Sequence, residues 1–163
     1  VIRGSIDRVD ETPDGGLVVI DYKTGKSKPY EGLSPDDPTP HGTHLQLVLY
    51  AAAAREVLGR PAAPSAGAYW FVTSARTADT AGYPIDAQVE ARALGTVERI
   101  VDGVGAGVFP QHPDPPGWRL FVPCEFCEPD GLGLAHQYAD WQRIHADPAL
   151  APYLELIEPE AAG

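Results

Sequence analysis

Apolar residues follow a strand-like pattern at the start of the 163-residue chain. Residues 1–11 and 17–23 are rich in Ile and Val, and the Pro-Asp-Gly turn between them predicts a β-hairpin. A helical spacing follows from Thr43 to Leu58 and stops at Gly59, a residue that commonly ends helices. The first third of the chain is therefore expected to be a hairpin, a long loop over residues 24–42, and a helix.

The remaining pattern predicts fewer strands than helices. Residues 66–73 are aromatic and apolar and predict a third strand, whereas residues 75–84 are expected to form a loop. Residues 86–104 fit an amphipathic helix, and a short helix is expected around residues 135–145. The proline-punctuated residues 148–159 are expected to run over the surface. The order β-β-α-β-α predicts an α/β fold with a small mixed central sheet and flanking helices.

Composition describes a soluble globular protein, since 44% of residues are hydrophobic and 21% are charged. No apolar run approaches the roughly 18 residues that cross a bilayer, so a cytoplasmic location is expected. The net charge of −11 argues against a protein that coats DNA non-specifically. It does not exclude an enzyme that gathers carboxylates around a cation, or a segment whose DNA path is built by neighbouring domains. The chain has no methionine, so we expect residues 1–163 to be one domain of a longer protein.

Three charged groups are expected to converge at the open end of the hairpin. The turn places Asp7 opposite Asp21 or one position away, and Lys23 shares the face of Asp21. Two close carboxylates repel unless a proton or cation intervenes, and hard oxygen ligands favour Mg²⁺ or Mn²⁺. The carbonyl of Tyr22 can supply another oxygen, and a lysine can orient a water and stabilise charge on a phosphate. The alternative is an ordinary surface ion pair between Asp7 and Lys23.

The stretches GSIDRVD and VIDYKTG resemble the PD-(D/E)XK nuclease superfamily, specifically its RecB-like exonuclease branch. The resemblance implies a restriction-endonuclease-like core, metal binding by Asp7 and Asp21, and a catalytic Lys23. It extends to Gln46 and Tyr50, which match the Gln-x-x-x-Tyr helix motif of that branch and would lie beside the active site. These two residues are four apart and share a helix face. An ordinary helix face, half polar and half core, is their alternative interpretation.

Further residues near the hairpin mouth are candidates for contact with the DNA backbone: Arg8, Lys26, Lys28 and His44. A solvated loop explains the two lysines equally well. The run Tyr69-Trp70-Phe71 can be interpreted as a base-stacking platform. A buried or half-buried sheet face is the commoner use of aromatic residues in a strand and is preferred here.

The C-terminal segment, residues 109–163, is expected to be irregular and carries the cysteine pair Cys124 and Cys127. Several relatives hold an iron–sulfur cluster with cysteines near this place, but Gly133 stands where the next cysteine would be. Because four thiolates are the norm, an intact iron–sulfur cluster is not expected. The pair and His136 could bind zinc, but no fourth ligand is evident. A vestigial, metal-free remnant is the preferred interpretation.

The function expected from the resemblance is a Mg²⁺- or Mn²⁺-dependent DNA exonuclease. It would act in repair or recombination, fused to or associated with helicase-type domains. The family also has an acidic or histidine motif on a helix before the hairpin, and no such motif precedes it here. The alternative is a catalytically inactive nuclease-fold module that binds DNA or serves as a scaffold. A zinc-stabilised interaction domain is a third hypothesis.

Overall fold

The structure is a computed structural model, and it describes residues 3–73, 79–110, 112 and 134–158. The chain forms two compact units, residues 1–98 and residues 99–163. In the described part of the chain, every strand belongs to the first unit. The expectation of a single domain stays a prediction. None of the described helices is long and apolar enough to cross a membrane.

The predicted hairpin is confirmed. Strand β1 (Arg8–Glu11) pairs antiparallel with strand β2 (Leu17–Lys23). Gly15 closes the turn with φ +83°, a backbone conformation that costs glycine little, and its N–H donates to the Thr12 carbonyl at 2.9 Å. Strand β1 begins only at Arg8, so it is shorter than the strand expected over residues 1–11.

Four further elements follow the hairpin along the chain. Helix α1 (Gln46–Val57) connects β2 to strand β3 (Ser65–Phe71), and these two strands pair in parallel. Strand β4 (Asp79–Ile85) pairs antiparallel with β3, and helix α2 (Ala87–Gly105) follows it. The sheet order β1-β2-β3-β4 therefore combines parallel and antiparallel pairing. This confirms the predicted α/β fold with a mixed central sheet.

Strand β4 lies where a loop was expected over residues 75–84, so that expectation is wrong for residues 79–84, and residues 75–78 lie outside the described residues. Gly82 and Pro84 are residues that weaken or interrupt a central strand. Among the described strands, however, β4 lies at the edge of the sheet, where proline is tolerated. Tyr83 and Ile85 are buried on either side of Pro84 and bind the strand to the core.

The core lies between the sheet and helix α1. Alternate side chains of β2 and β3 point toward the helix, among them Val19 and Tyr69, which are fully buried. Gly67 lets the helix approach closely, since a Cβ there would lie 2.8 Å from the Leu47 Cβ. In α1 the small side chains of Ala51 and Ala54 are buried in this core.

The second unit is more helical than expected. Helix α3 (Leu134–Ile144) confirms the short helix expected around residues 135–145. The residues expected to run irregularly over the surface instead form a 3-10 helix, Pro148–Leu150, and helix α4 (Ala151–Ile157). The correction has a local cause. Asp147 accepts the Ala149 N–H at 2.9 Å, and proline is favoured in the first turn of a helix.

The close approach of β3 and β4 can be tested at Gly82. A Cβ at this position would lie 2.1 Å from the Gly67 carbonyl oxygen, so Gly82→Ala should lower the free energy of unfolding by about 1–3 kcal/mol. Gly95→Ala in α2 is the matched control, because its Cβ meets nothing within 4 Å. This control should be more stable than wild type by about 0.5–1 kcal/mol. Urea denaturation measures the free energy of unfolding of both variants. If Gly82→Ala is as stable as wild type, the close approach of β3 and β4 is contradicted.

Candidate active site

Asp7 and Asp21 lie at the open end of the hairpin. Strand β1 begins at Arg8, which lies opposite Ile20 in the antiparallel register. Asp7 directly precedes this pair in β1 and Asp21 directly follows it in β2. The Asp7 carboxylate is exposed and accepts the Tyr22 N–H at 2.9 Å, whereas Asp21 is 5% exposed. One carboxylate is therefore open to solvent and its neighbour is buried.

The buried carboxylate of Asp21 is balanced by Lys23, two residues later on the same face of β2. The Lys23 Nζ lies 2.5 Å from the Asp21 Oδ2, and the two side chains are 22% and 7% exposed. Although Oδ2 has this ion pair, it accepts no well-oriented hydrogen bond within the described residues. A buried charge without compensation costs several kcal/mol, so Asp21 and Lys23 depend on each other.

Gln46 joins this pair from helix α1. Its side-chain Nε2 donates to the Asp21 Oδ1 at 3.1 Å, and its Oε1 accepts from the Lys23 Nζ at 3.0 Å. One amide thus satisfies both partners because it carries a donor and an acceptor. We refer to Asp21, Lys23 and Gln46 as the charged triad.

Tyr50 lies one helical turn after Gln46 and is half-buried against the core. Its ring packs beside the backbone of Gly4, where a Cβ would lie 3.2 Å from the Tyr50 Cε1. Tyr50 therefore contacts the segment that leads into Asp7, and none of its described contacts is with the charged triad. Gln46 therefore contacts the buried carboxylate of Asp21, whereas Tyr50 packs beside Gly4, in the segment that precedes the exposed Asp7.

An aromatic cluster that the sequence analysis did not assign to the site lies under the charged triad. The Tyr69 ring centroid lies 5.1 Å from the Lys23 Nζ, and the Tyr30 ring centroid lies 4.7 Å from the Tyr69 ring centroid. The alternation of side chains along a strand could have predicted that Tyr69 and Phe71 lie on one face of the sheet and Trp70 on the other. Tyr69 and Phe71 are buried on the face of the triad, and Trp70 is half-buried on the other face.

His44 completes this cluster from the loop that precedes α1. Its ring lies 4.6 Å from the Tyr30 ring, and its backbone has φ +56°, which is uncommon outside glycine. Burial lowers the pKa of His44, and the nearby charge of Lys23 lowers it further. His44 therefore tends to be neutral beside the charged triad.

The other candidates for DNA contact are placed differently. Arg8 lies on the opposite face of the sheet, where Asp10 binds its guanidinium at 2.7 Å and the Trp70 ring lies 5.8 Å away. Lys26 and Lys28 are exposed in the connection directly after β2, where Lys28 begins a short 3-10 helix. The two lysines are thus close to Lys23 in the chain, whereas Arg8 is bound by Asp10 on the other face of the sheet.

Within the described residues there is no group of three or more His, Cys, Asp or Glu side chains that could hold a metal ion. Asp7, Asp21 and the Tyr22 carbonyl, which the sequence predicts as metal ligands, all belong to the open end of the hairpin. Cys124 and Cys127, with Gly133, lie outside the described residues, as does the side chain of His136.

Comparison with known proteins agrees with this geometry. A family model described as the PD-(D/E)XK nuclease superfamily matches residues 1–130. The chain is also 44% identical over 59 residues to an ATP-dependent helicase/deoxyribonuclease subunit from Streptococcus mutans serotype c (strain ATCC 700610 / UA159). That alignment covers 33% of this chain, and the chain spans only 4% of the relative's length. No solved structure matches the chain.

The lowered pKa of His44 predicts a pH dependence of stability. The unfolded chain binds a proton near pH 6.5 while the folded chain resists it, so His44 should reduce the free energy of unfolding as the pH falls below about 6.5. His44→Asn removes the titrating group and keeps a residue that tolerates positive φ. Urea denaturation at pH 7 and pH 5 should show that the free energy of unfolding falls less in the variant than in wild type. Equal decreases in both proteins would contradict the placement of His44.

Proposed function

This chain belongs to the PD-(D/E)XK nuclease superfamily, and we propose that it hydrolyses phosphodiester bonds in DNA with a divalent cation at Asp7 and Asp21. The observation that carries the proposal is an exposed and a buried carboxylate at one hairpin end, where Asp7 accepts the N–H of Tyr22, the residue after Asp21, and Lys23 and Gln46 bind Asp21. A lone surface ion pair would not need a helix residue to satisfy both partners.

The donors at the hairpin end fit Mg²⁺ or Mn²⁺. Carboxylate and carbonyl oxygens are the ligands these cations prefer. The Asp21 Oδ2 is buried and has no well-oriented hydrogen-bond donor within the described residues, so it has acceptor capacity left. Asp7 is exposed opposite it, and the Tyr22 carbonyl follows Asp21 in the chain. When bound there, a divalent cation would supply Lewis acidity to the scissile phosphate and to a water.

Lys23 is suited to act on the substrate directly. Its side chain is 22% exposed, so it can reach a phosphate or a water while Asp21 and Gln46 hold the ammonium in place. A positioned cation of this kind stabilises negative charge that develops on phosphorus in the transition state. Gln46 donates to Asp21 and accepts from Lys23, so it keeps ligand and catalytic lysine at a fixed spacing.

DNA is the substrate class that the similar protein's name suggests, since that protein is called a helicase/deoxyribonuclease subunit. We extend this to an exonuclease that acts in repair or recombination in the cytoplasm, as part of a larger helicase–nuclease protein. The net charge of −11 favours a DNA path that neighbouring domains help to build. On this chain, Lys26 and Lys28 are exposed beside the hairpin end and are available to the DNA backbone.

A catalytically inactive module that binds DNA or serves as a scaffold is the second candidate. The observation in its favour is the mutual satisfaction of the charged triad, because Lys23 and Gln46 balance Asp21 without any cation. A protein without catalysis would keep such a cluster for stability alone. Cleavage and cation binding separate the two functions.

Cleavage assays test the charged triad. Asp21→Asn and Lys23→Ala should each lower Mg²⁺-dependent cleavage of linear DNA by about 100-fold or more, because each removes a group acting on the reacting phosphate. Arg60→Ala is the control, since its ion pair with Glu11 lies at the other end of the hairpin. Circular dichroism should confirm that all variants are folded. Cleavage that is undiminished in Asp21→Asn and Lys23→Ala would refute the assignment.

Isothermal titration with Mn²⁺ tests the proposed cation site without any substrate. Wild type should bind the cation, and Asp7→Asn and Asp21→Asn should each weaken binding because each loses a carboxylate ligand. Asp10→Asn is the matched control, as Asp10 lies on the same hairpin but pairs with Arg8 on the other face. A wild-type protein that binds no Mn²⁺ would support the inactive module instead.

A further inference from the structure

Tyr69 is the aromatic side chain on which the charged triad rests. In the parallel register Tyr69 lies directly opposite Asp21, so its side chain leaves the sheet on the same face. Its ring centroid is 5.1 Å from the Lys23 Nζ, within the range of a cation–π interaction. The ring is completely buried, which limits its freedom to move away from the ammonium.

The hydroxyl of Tyr69 makes a second connection. It donates to the backbone carbonyl of His44 at 3.2 Å, and burial raises the pKa of this phenol well above its usual range. The proton therefore stays on the oxygen and remains available to the carbonyl. His44 lies two residues before Gln46, the first residue of α1. Tyr69 thus connects the strand beside Lys23 to the backbone that brings Gln46 to the triad.

The backbone at His44 explains why such a connection matters. His44 has φ +56°, a conformation that is unfavourable for a residue other than glycine unless its surroundings hold it. The Tyr69 hydroxyl holds the carbonyl of this residue, and the Tyr30 ring packs against its imidazole. If the turn at His44 relaxed, Gln46 would leave its position between Asp21 and Lys23.

We propose that Tyr69 is a positioning residue for the reaction. Its ring orients the Lys23 ammonium, and its hydroxyl fixes the backbone turn that places Gln46. The inference rests on the proposed nuclease function, and it assigns to Tyr69 a role beyond filling the core.

Paired substitutions separate positioning from packing. Tyr83 is also buried, and its hydroxyl donates to the Pro38 carbonyl of the same loop at 2.9 Å. Tyr69→Phe and Tyr83→Phe each remove one buried hydroxyl from one loop carbonyl, so they should cost similar stability. Only Tyr69→Phe should lower kcat, by about fivefold, with KM unchanged. Tyr69→Leu, which also removes the ring, should lower kcat by about a further tenfold.

Nuclear magnetic resonance reports on the positions of the Lys23 and Gln46 side chains without substrate or cation. The chain has only three lysines, Lys23, Lys26 and Lys28, so lysine-selective labelling resolves each of them. The Lys23 ε-methylene resonances should be shifted upfield by the Tyr69 ring relative to the other two. The shift should persist in Tyr69→Phe and Tyr83→Leu and vanish in Tyr69→Leu. The Gln46 side-chain amide resonances should move in Tyr69→Phe but not in Tyr83→Phe.

The outcomes separate this inference from the proposed function. Equal effects of Tyr69→Phe and Tyr83→Phe on kcat and on the Gln46 amide would overturn the positioning role, whether or not the protein cleaves DNA. A Lys23 resonance that is unshifted in wild type, or unchanged in Tyr69→Leu, would overturn the role of the ring. If wild type cleaves no DNA, the proposed function fails and the resonances alone decide the positioning role. If the Lys23 shift persists in Tyr69→Phe and is lost in Tyr69→Leu, the result supports the positioning role of the Tyr69 ring.

Discussion

The burial of the Asp21 carboxylate is the constraint on which the rest of the site depends. A charge at 5% exposure beside an apolar core must be paired and hydrogen-bonded, and Lys23 and Gln46 meet this need from two elements. Lys23 comes with the strand itself, because residues two apart share a face. Gln46 must be delivered by the loop and helix that follow. The charged triad therefore couples the local hairpin to the tertiary position of α1.

The alternation of the strands divides the sheet end into two chemically different faces. Asp21 and Lys23 point toward α1 and the buried aromatic cluster, while Tyr22 lies 5.9 Å from Trp70 on the other face. Arg8 joins that second group through Trp70 and the Tyr22 hydroxyl. A one-residue slip of β1 against β2 would exchange the two faces and separate Asp7 from Asp21. The turn at Gly15 fixes this register, so a glycine far from the carboxylates determines their pairing.

The loop between β2 and α1 is held at several points on the first unit. The Tyr83 hydroxyl donates to Pro38, and the hydroxyls of Thr39 and Thr96 lie 2.9 Å apart in a buried contact. These contacts and the packing of Tyr30 keep a 22-residue connection, from Thr24 to Leu45, in a defined path. Long loops in compact domains are commonly functional, and this one begins beside Lys23 and ends beside Gln46. Its defined path therefore helps to keep Gln46 in contact with Asp21 and Lys23.

Several features of this protein were determined by the sequence alone. The Pro-Asp-Gly turn and the period-two pattern predicted the hairpin, and the resemblance of GSIDRVD and VIDYKTG to a nuclease family is carried by residues close together in the chain. Gln46 and Tyr50 could be predicted to share a helix face because helical periodicity is local. These predictions depend on distances of a few residues, where backbone geometry leaves few alternatives.

Tertiary structure decided the rest. Strand β4 forms despite Gly82 and Pro84 because the edge of β3 offers it hydrogen bonds that no local pattern contains. The separate destinations of Gln46 and Tyr50, one at the charged triad and one at Gly4, depend on where α1 crosses the sheet. Tyr69 reaches Lys23, from which it is distant in the chain, only through the parallel pairing of β2 with β3. Local sequence specifies which side chains share a face, but contacts between distant segments decide what each face meets.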